Sequence, residues 1–349
     1  MRISTTSPRV ITYAGIDYHK KFSVVTLGDA AGATLLSQRV PNDELAIKLF
    51  FKDFPNLQCA VESCRGYEWF VDLLKELGMT VHLANPNELA LIAKSRCKTD
   101  KVDSKILMEL LAMGFLPKCY QPTAEERSLR ERLRWRCHLV RTATRIKLRV
   151  LALVDKENLG LQIGSRMFRG KTRKMLEKVE LKGPGRQALF CKHLKLLEQV
   201  ERAIEIEDDW IVKAAKQSPD AQLLITIPGI GPFTALTILS ELGSVARFKR
   251  SAQVVNYAGL VPSIRQSANK KFAGPITKEG PPLLRWVMIQ SAWISIRNCQ
   301  ELRYFFLSVS KRCGRHGAIV ATARKLLEIV YRVLRDQKPF DAKRIGQQT

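Results

Sequence analysis

The stretch Ile11-Thr-Tyr-Ala-Gly-Ile-Asp17 decides the fold of the first third of the chain. It is apolar up to a terminal carboxylate, which is typical of a buried strand that ends at the edge of a sheet. Two more strand patterns, Phe22–Leu27 and Thr34–Val40, follow after tight turns. The sequence therefore predicts a three-stranded meander with Asp17 at the end of its first strand.

Beyond the meander, helical and strand patterns alternate as they do in an α/β sheet. Predicted strands at Gln58–Glu62 and Met79–Ala84 follow the helical stretches Asn42–Asp53 and Tyr67–Leu77. The order β-β-β-α-β-α-β-α is that of an RNase H-like or RuvC-like fold, which we expect over residues 1–121. Glu62 ends its strand as Asp17 does.

Two more acids open a predicted helix in Lys98-Thr-Asp100-Lys-Val-Asp103. At a spacing of three residues both carboxylates project from one helix face. Acids in a first helical turn also cap free N–H groups and complement the macrodipole, so a purely structural role is the alternative. Two divalent ions about 4 Å apart need convergent carboxylates, and two strand-end acids precede this pair. The sequence predicts one metal site from Asp17, Glu62, Asp100 and Asp103.

The charge balance indicates the kind of partner. The chain of 349 residues has 58 Lys plus Arg against 33 Asp plus Glu, a net charge of +25. Such an excess is typical of nucleic-acid binding. No apolar run is long enough to span a bilayer, and the first residues lack the apolar stretch of a signal peptide, so a cytoplasmic location is expected. The eight cysteines form no Cys-x-x-Cys pair, which argues against a zinc site and a disulfide framework.

A long basic helix is predicted from Thr123 to Glu157, with Thr123-x-x-Glu126 as a capping box. Between residues 127 and 149 only Glu131 opposes nine basic side chains: Arg127, Arg130, Arg132, Arg134, Arg136, Arg141, Arg145, Lys147 and Arg149. These cations repel one another unless a polyanion neutralises them, so nucleic-acid contact is favoured over a merely solvated face.

A second helix is predicted over Arg186–Lys216, after a loop or connector over 160–185. Its apolar residues follow an a/d pattern, so the two helices form either an antiparallel hairpin or a coiled coil between subunits. Together they make a basic helical region, residues 122–218.

The third region, residues 219–349, is predicted to be mainly helical. Pro228-Gly-Ile-Gly231 lies between two helical runs, as in a helix-hairpin-helix element whose Gly229 and Gly231 let backbone N–H groups approach a phosphate. A plain packing corner is the alternative. The next segment, residues 263–280, is expected to be a loop that mixes hydroxyls with cations that can contact phosphate: Arg265, Lys270, Lys271 and Lys278.

These motifs together resemble insertion-sequence transposases of the DEDD type, the bridge-RNA-guided recombinases whose relatives include site-specific DNA invertases. Ala14-Gly-Ile-Asp17, Glu62 and Lys98-Thr-Asp100-Lys-Val-Asp103 match the RuvC-like domain. Ile227–Gly231 through Ile276-Thr-Lys-Glu-Gly280 match the C-terminal transposase domain. The resemblance covers essentially the whole chain.

The resemblance implies that Asp17, Glu62, Asp100 and Asp103 bind Mg²⁺. It also implies a serine that attacks DNA to give a phosphoserine intermediate; Ser267 matches its place and Ser263 is the alternative. The implied partners are target and donor DNA, a structured noncoding guide RNA, and further copies of the chain in a dimer or tetramer joined by a coiled coil. The implied setting is a prokaryotic cell, with nucleoid association during activity.

Two other functions compete with a recombinase. A RuvC-like metal-dependent nuclease or resolvase would hydrolyse DNA with the four acids and would not need Ser267 for cutting. A non-catalytic nucleic-acid-binding protein would explain the net charge, but it would not explain four ordered acids in a basic chain.

Overall fold

The computed structural model of the chain describes residues 10–92, 100–157, 165–267 and 270–345. The chain forms two compact units, Met1–Gln121 and Pro122–Thr349. The two regions expected over 122–218 and 219–349 lie in the same unit, and Leu133 and Ile211 belong to one core with Leu236. No helix of the described ranges is long and apolar enough to cross a membrane.

The first unit is a mixed sheet with helices. Its elements in chain order are β1 (Ile11–Tyr18), β2 (Phe22–Asp29), β3 (Thr34–Pro41), α1 (Glu44–Phe51), β4 (Gln58–Glu62), α2 (Glu68–Glu76), β5 (Thr80–Ala84), α3 (Pro86–Ile92) and α4 (Asp100–Ala112). The sheet order is β3-β2-β1-β4-β5. The predicted meander and the alternation after it are confirmed: β1 to β3 pair antiparallel, and β4 pairs parallel with both β1 and β5.

Alternate residues of the central strands face two different helical layers. Ile16 and Val61 share a core with residues of α1 and α2, whereas Ala60 shares one with Leu107 and Leu111 of α4. This is the period of two that a strand buried on both faces shows. Each core therefore holds one helical layer against the sheet.

Helix α4 approaches β1 closely at Gly15. A Cβ on Gly15 would lie 2.0 Å from Ser104 O and 2.4 Å from Met108 N, both in α4. The buried Ser104 hydroxyl also hydrogen-bonds with Thr26 of β2, at 2.8 Å between the two oxygens. Only glycine fits at residue 15, so this contact fixes the first turn of α4 over the sheet.

The second unit is mainly helical. Its elements are α5 (Ala124–Asp155), α6 (Gly170–Glu177), α7 (Pro184–Gln217), α8 (Pro219–Ile225), α9 (Pro232–Leu242), α10 (Ser251–Tyr257), β6 (Pro262–Ser267), β7 (Lys270–Ile276), α11 (Pro282–Asn298) and α12 (Gln300–Asp336), with short 3-10 turns at Ser165–Phe168, Val245–Arg247 and Ala342–Arg344. Thr123 and Glu126 form the predicted capping box of α5.

Helices α5 and α7 run antiparallel. Arg132 of α5 pairs with Glu207 of α7. Lys147, which comes later in α5, pairs with Glu201, which comes earlier in α7, so the two helices run in opposite directions. Residues such as Val150, Phe190 and Leu197 form a separate core between them. The expectation of an antiparallel hairpin is thus met within the chain, while a coiled coil between subunits stays a prediction.

Two segments expected to be loops contain regular structure. Part of 160–185 forms α6, and residues 158–164 lie outside the described ranges. The segment expected as a basic loop forms a two-stranded antiparallel hairpin of β6 and β7. Its few apolar residues left no clear alternation, which is why the sequence pattern missed it.

The Gly15 contact generates a prediction. Gly15→Ala should lower the free energy of unfolding by about 1–3 kcal/mol, because α4 or β1 must shift to admit the methyl group. Gly185→Ala is the control, since a Cβ there meets no atom of the described chain within 4 Å. Thermal and urea unfolding measure both variants. Equal stability of Gly15→Ala and the parent would contradict the packing of α4 on β1.

Candidate metal centre and nucleic-acid surfaces

Asp17 and Glu62 lie at the same edge of the sheet. Ile16 pairs with Val61 across the parallel strands β1 and β4, so the next residues of both strands are neighbours at their carboxyl ends. Strand alternation puts Asp17 on the same face as Gly15, the face that α4 covers. The side chains of strand-end residues there face the first turn of α4.

Asp100 and Asp103 occupy that first turn. Asp100 Oδ2 and Asp17 Oδ2 both lie close to one nitrogen of His19, at 3.3 and 3.1 Å. One ligand atom from each of Asp17, His19 and Asp100 falls within 4.8 Å of the others. The structure therefore brings Asp17 and Asp100 together with His19, whereas Glu62 and Asp103 are not part of this group of ligand atoms. A metal site formed by all four acids stays a prediction.

His19 is the member of this cluster that the sequence analysis missed. Its Nε2 atom is buried and, although close to two carboxylates, makes no hydrogen bond of good geometry within the described ranges. The ring packs on Phe22, with 4.8 Å between centroids, and Asn42 Nδ2 donates to the His19 carbonyl oxygen. The only signal in the sequence is its position, two residues after the strand-end Asp17.

The environment of Asp17 raises the pKa of its carboxyl above the ordinary value. Burial is the largest cause and His19 opposes it, while Asp100, Asp103 and Glu62 each add to the increase through charge repulsion. The charges of the other three predicted acids are thus all felt at the Asp17 carboxyl. Burial and like charges together disfavour the ionised form unless a cation compensates them.

This donor set fits a hard divalent cation. Carboxylate oxygens are the preferred ligands of Mg²⁺ and Mn²⁺, and mutual repulsion among acids is what a bound cation relieves. The orphaned Nε2 of His19 supplies one more donor beside Asp17 and Asp100. Such a site could polarise a phosphodiester, a property that metal-dependent nucleases share.

The basic residues of α5 separate into two groups. Arg132, Arg136 and Lys147 face α7, where they pair with Glu207, Asp208 and Glu201. Arg130 points into the unit: its side chain is only 12% exposed, and it donates to the backbone oxygens of Ser240 and Glu241. Arg127 donates to Pro122 O. These contacts hold α5 in place, and phosphate binding by Arg127 and Arg130 stays a prediction.

The other group forms an exposed stripe, which we call the α5 stripe: Arg134, Arg141, Arg145 and Arg149. At 100° per residue they cluster on one side of the helix, opposite the buried Ala143 and Val150. Arg134 is 57% exposed although it also pairs with Glu241. For Arg141, Arg145 and Arg149 no acidic partner is found among the described residues.

The corner at Pro228–Gly231 has a packing role. Gly229 has φ 92°, and a Cβ there would lie 2.5 Å from Ser291 O in α11. Ser295 Oγ donates to Pro228 O over 2.5 Å. Gly229 is thus needed for contact with α11, which accords with the packing-corner alternative. Gly231 caps α9 and is open around its α-carbon, so its approach to phosphate stays a prediction.

Ser267 lies at the end of β6, where its backbone pairs with Lys270 of β7. Gln266 pairs with Lys271, and Arg265 lies one residue further along the same strand. Residues 268 and 269 are outside the described ranges. The predicted serine and three of the predicted cations therefore share one end of the hairpin.

Hydrogen bonds and close backbone packing hold the segments next to the other end of the hairpin. Arg285 Nη1 donates to the carbonyl oxygens of Ala258, Glu279 and Gly280. Gly259 and Gly280 both have positive φ and pack against the facing segment so closely that a Cβ on either would lie about 2.0 Å or less from a carbonyl oxygen. Lys278, with φ 58°, lies two residues after the end of β7.

Comparison with known families identifies two matched segments. Residues 14–158 match the DEDD transposase family named for IS110, and residues 221–306 match the family described as Transposase IS116/IS110/IS902. The first segment contains Asp17, Glu62, Asp100 and Asp103. The second contains Ser267 and the hairpin.

Similar proteins are transposases of bacterial insertion sequences. The transposase for insertion sequence element IS1111A of Coxiella burnetii is 26% identical over 81% of this chain and 79% of its own length. The transposase for IS1328 of Yersinia enterocolitica is 28% identical over 84% of this chain and 86% of its own. A pilin gene-inverting protein of Moraxella bovis is 36% identical over 36% of this chain and 40% of its own.

The environment of Asp17 generates a prediction about stability. Because the pKa of Asp17 is higher in the folded than in the unfolded protein, folding stability falls as pH rises through that interval, and the ionised carboxylate is unfavourable at pH 7. Asp17→Asn should therefore raise the Tm of the metal-free protein. In saturating Mg²⁺ the parent should instead have the higher Tm, since binding at a hundredfold excess over Kd adds about 2.7 kcal/mol to its free energy of unfolding.

Thermal unfolding in EDTA and in Mg²⁺ measures both effects. Glu76→Gln, which removes an exposed acid of α2, is the control and should respond to Mg²⁺ as the parent does. An Asp17→Asn variant that is less stable in EDTA and still gains fully from Mg²⁺ would refute the site.

Proposed function

We propose that this chain, a transposase of the IS110 and IS116 family, cuts and rejoins DNA through a serine intermediate with the help of a divalent metal. The observation that carries the proposal is the close approach of Asp17 and Asp100 beside His19, at a sheet edge where the charges of Glu62 and Asp103 also act on Asp17. A binding protein would gain nothing from acids that repel one another around a half-buried Asp17, whereas a metal-dependent enzyme requires such a cluster.

The acids and His19 have separate tasks in this proposal. Asp17, Glu62, Asp100 and Asp103 would hold Mg²⁺ by their carboxylate oxygens, and His19 would keep Asp17 and Asp100 apart and oriented. Mg²⁺, when bound, supplies charge that polarises phosphoryl oxygens and eases loss of a proton from an attacking hydroxyl. Gly15 sets the distance between the strand and helix acids.

The chemical step conserves the bond energy of the DNA backbone. The Ser267 oxygen attacks phosphorus, its proton passes to solvent or a base, and a serine phosphodiester forms. The bond from phosphorus to one bridging deoxyribose oxygen breaks, and that oxygen takes up a proton and leaves as a hydroxyl. Attack by a hydroxyl of another strand end reverses these steps and rejoins DNA, with no external energy source.

Ser267 is a better candidate than Ser263 for this attack. Ser263 Oγ donates to Pro275 O over 3.0 Å and lies against Gly274, so its proton is already committed to a carbonyl across the hairpin. Ser267 lies at the other end of the hairpin beside Lys270 and Lys271 in register. These cations, with Arg265, would balance charge that develops on phosphorus, whereas Lys278 lies beyond the opposite end of the hairpin.

We assign the α5 stripe to a structured guide RNA that pairs with target and donor DNA. The stripe is exposed and lies opposite the face that packs on α7, and among the described residues only Arg134 of its four cations has an acidic partner, Glu241. Phosphate contacts of this kind position a polymer without reading its sequence. Assembly into a dimer or tetramer belongs to the same proposal.

Hydrolysis by the four acids alone is the second candidate function, since a metal-activated water could replace the serine. It rests on the same carboxylate cluster. The two candidates differ only in whether protein becomes joined to DNA, and this difference decides the experiment.

A suicide substrate tests the serine. The protein, RNA that co-purifies with it and Mg²⁺ are incubated with a nicked DNA from which the cleaved fragment diffuses away, and the adduct is mapped by mass spectrometry. We expect DNA on the peptide that bears Ser267. Ser267→Ala should abolish the adduct with metal binding unchanged, and Asp103→Asn should abolish it by weakening metal binding. Ser263→Ala is the matched control and should retain it.

Efficient cleavage without any adduct would contradict the serine mechanism and favour hydrolysis. An adduct on Ser263 would move the nucleophile to the other end of the hairpin.

The α5 stripe generates a further prediction. Changing Arg141, Arg145 and Arg149 together to Gln should weaken binding of the co-purifying RNA and flatten the log–log salt dependence by about two to three units, because each lost phosphate contact removes nearly one unit. Lys192, Lys213 and Lys216 of α7, also exposed, provide a control of equal charge loss. Unchanged affinity and slope in the Arg variant would make the stripe a solvated face.

A further inference from the structure

The first half of α12, from Gln300 to Cys313, presents a second polar and basic face that the proposed chemistry does not use. Gln300, Arg303, Tyr304, Leu307 and Lys311 are all exposed and follow one another at helical spacings of three and four. Gln300 Nε2 donates to Tyr304 Oη over 2.6 Å. The opposite side packs into the core through Leu302, Phe306 and Val309.

This face lacks opposing charge. From Leu302 to Leu327 the sequence has no acid. Arg303, Lys311 and Arg312 have no ion pair within the described ranges, whereas Arg324 and Lys325 further along pair with Glu328. Glu301, in the first turn, accepts from Cys299 Sγ. Uncompensated cations on an ordered helix are complementary to a polyanion.

A break in α12 gathers the cations at one end. Gly314 has φ 71° and ψ 173°, so the regular helix stops after Cys313 and restarts with a changed direction. Lys311, Arg312 and Arg315 lie around the break, and the Arg315 guanidinium stands over the Trp293 ring at 5.1 Å. The result is a helix of moderate length with exposed side chains along one face and cations at its end.

We propose that this α12 face binds double-stranded DNA, with the helix in the major groove. That groove is about 12 Å wide and admits a helix, whereas the deep major groove of A-form RNA does not. Arg303, Lys311 and Gln300 offer donors to base edges and phosphates, and Leu307 offers an apolar contact for a thymine methyl group. The choice of DNA over RNA rests in part on the proposed function; the binding itself does not require cleavage.

Binding to short duplexes in EDTA, measured by fluorescence anisotropy over a salt series, tests the face without any chemistry. Arg303→Gln with Lys311→Gln should weaken duplex DNA binding about tenfold and reduce the salt slope by about two units. The control, Arg250→Gln with Lys338→Gln, removes one exposed Arg and one exposed Lys elsewhere in the unit. It should leave both quantities nearly unchanged.

Leu307→Glu tests the same face by adding a negative charge. Leu307 is 47% exposed, and Leu196 of α7, at 48%, provides a matched control that should fold equally well. We expect Leu307→Glu to weaken duplex binding about tenfold and Leu196→Glu to leave it unchanged. Equal effects of test and control variants would overturn the proposal, and so would an equal loss for an RNA duplex of the same length.

These measurements separate the proposal from the proposed function. Loss of binding in the α12 variants without any serine adduct in the parent would sustain the DNA face and refute the serine chemistry. A serine adduct in the parent with unchanged DNA binding in the α12 variants would sustain the serine chemistry and refute the DNA face.

Discussion

The close packing of α4 on β1 at Gly15 is the contact on which the candidate metal centre depends. Because residue 15 has no side chain, the backbone of Ser104 and Met108 in α4 occupies the space that a Cβ on the strand would need. That approach places the first turn of α4, with Asp100 and Asp103, over the sheet edge where Glu62 ends β4 and Asp17 lies next to the end of β1. Hydrophobic packing on both faces of the sheet thus holds together acids that repel one another.

Charge is arranged differently in the two units. The first unit concentrates acids around Asp17, where burial first, and then repulsion from the other acids, raises the pKa of the Asp17 carboxyl. The second unit divides its cations between internal and exposed positions. Arg130 and Arg136 hold helices together through backbone oxygens and acids, whereas the cations of the α5 stripe and the α12 face are exposed. A net charge alone does not distinguish these roles.

Sequence patterns predicted the elements whose signals are local. The order of strands and helices along the first unit and the capping box at Thr123 follow from apolar periodicity and from residues at element ends. His19 was missed because its importance comes from a spatial neighbour, Asp100, far along the chain. The hairpin at residues 262–276 was missed because short polar strands resemble loops, and the inward turn of Arg130 depends on the tertiary position of Glu241.

The central claim, that four acids from two strands and a helix form one divalent-metal site, is tested most directly by a crystal of the protein grown with Mn²⁺. Mn²⁺ takes the oxygen ligands that suit Mg²⁺, and its anomalous scattering locates it without reference to activity. The account predicts an anomalous peak bounded by the carboxylates of Asp17, Glu62, Asp100 and Asp103, and its loss in Asp17→Asn. A fully ordered acid cluster with no peak, or Mn²⁺ bound only elsewhere on the chain, would contradict it.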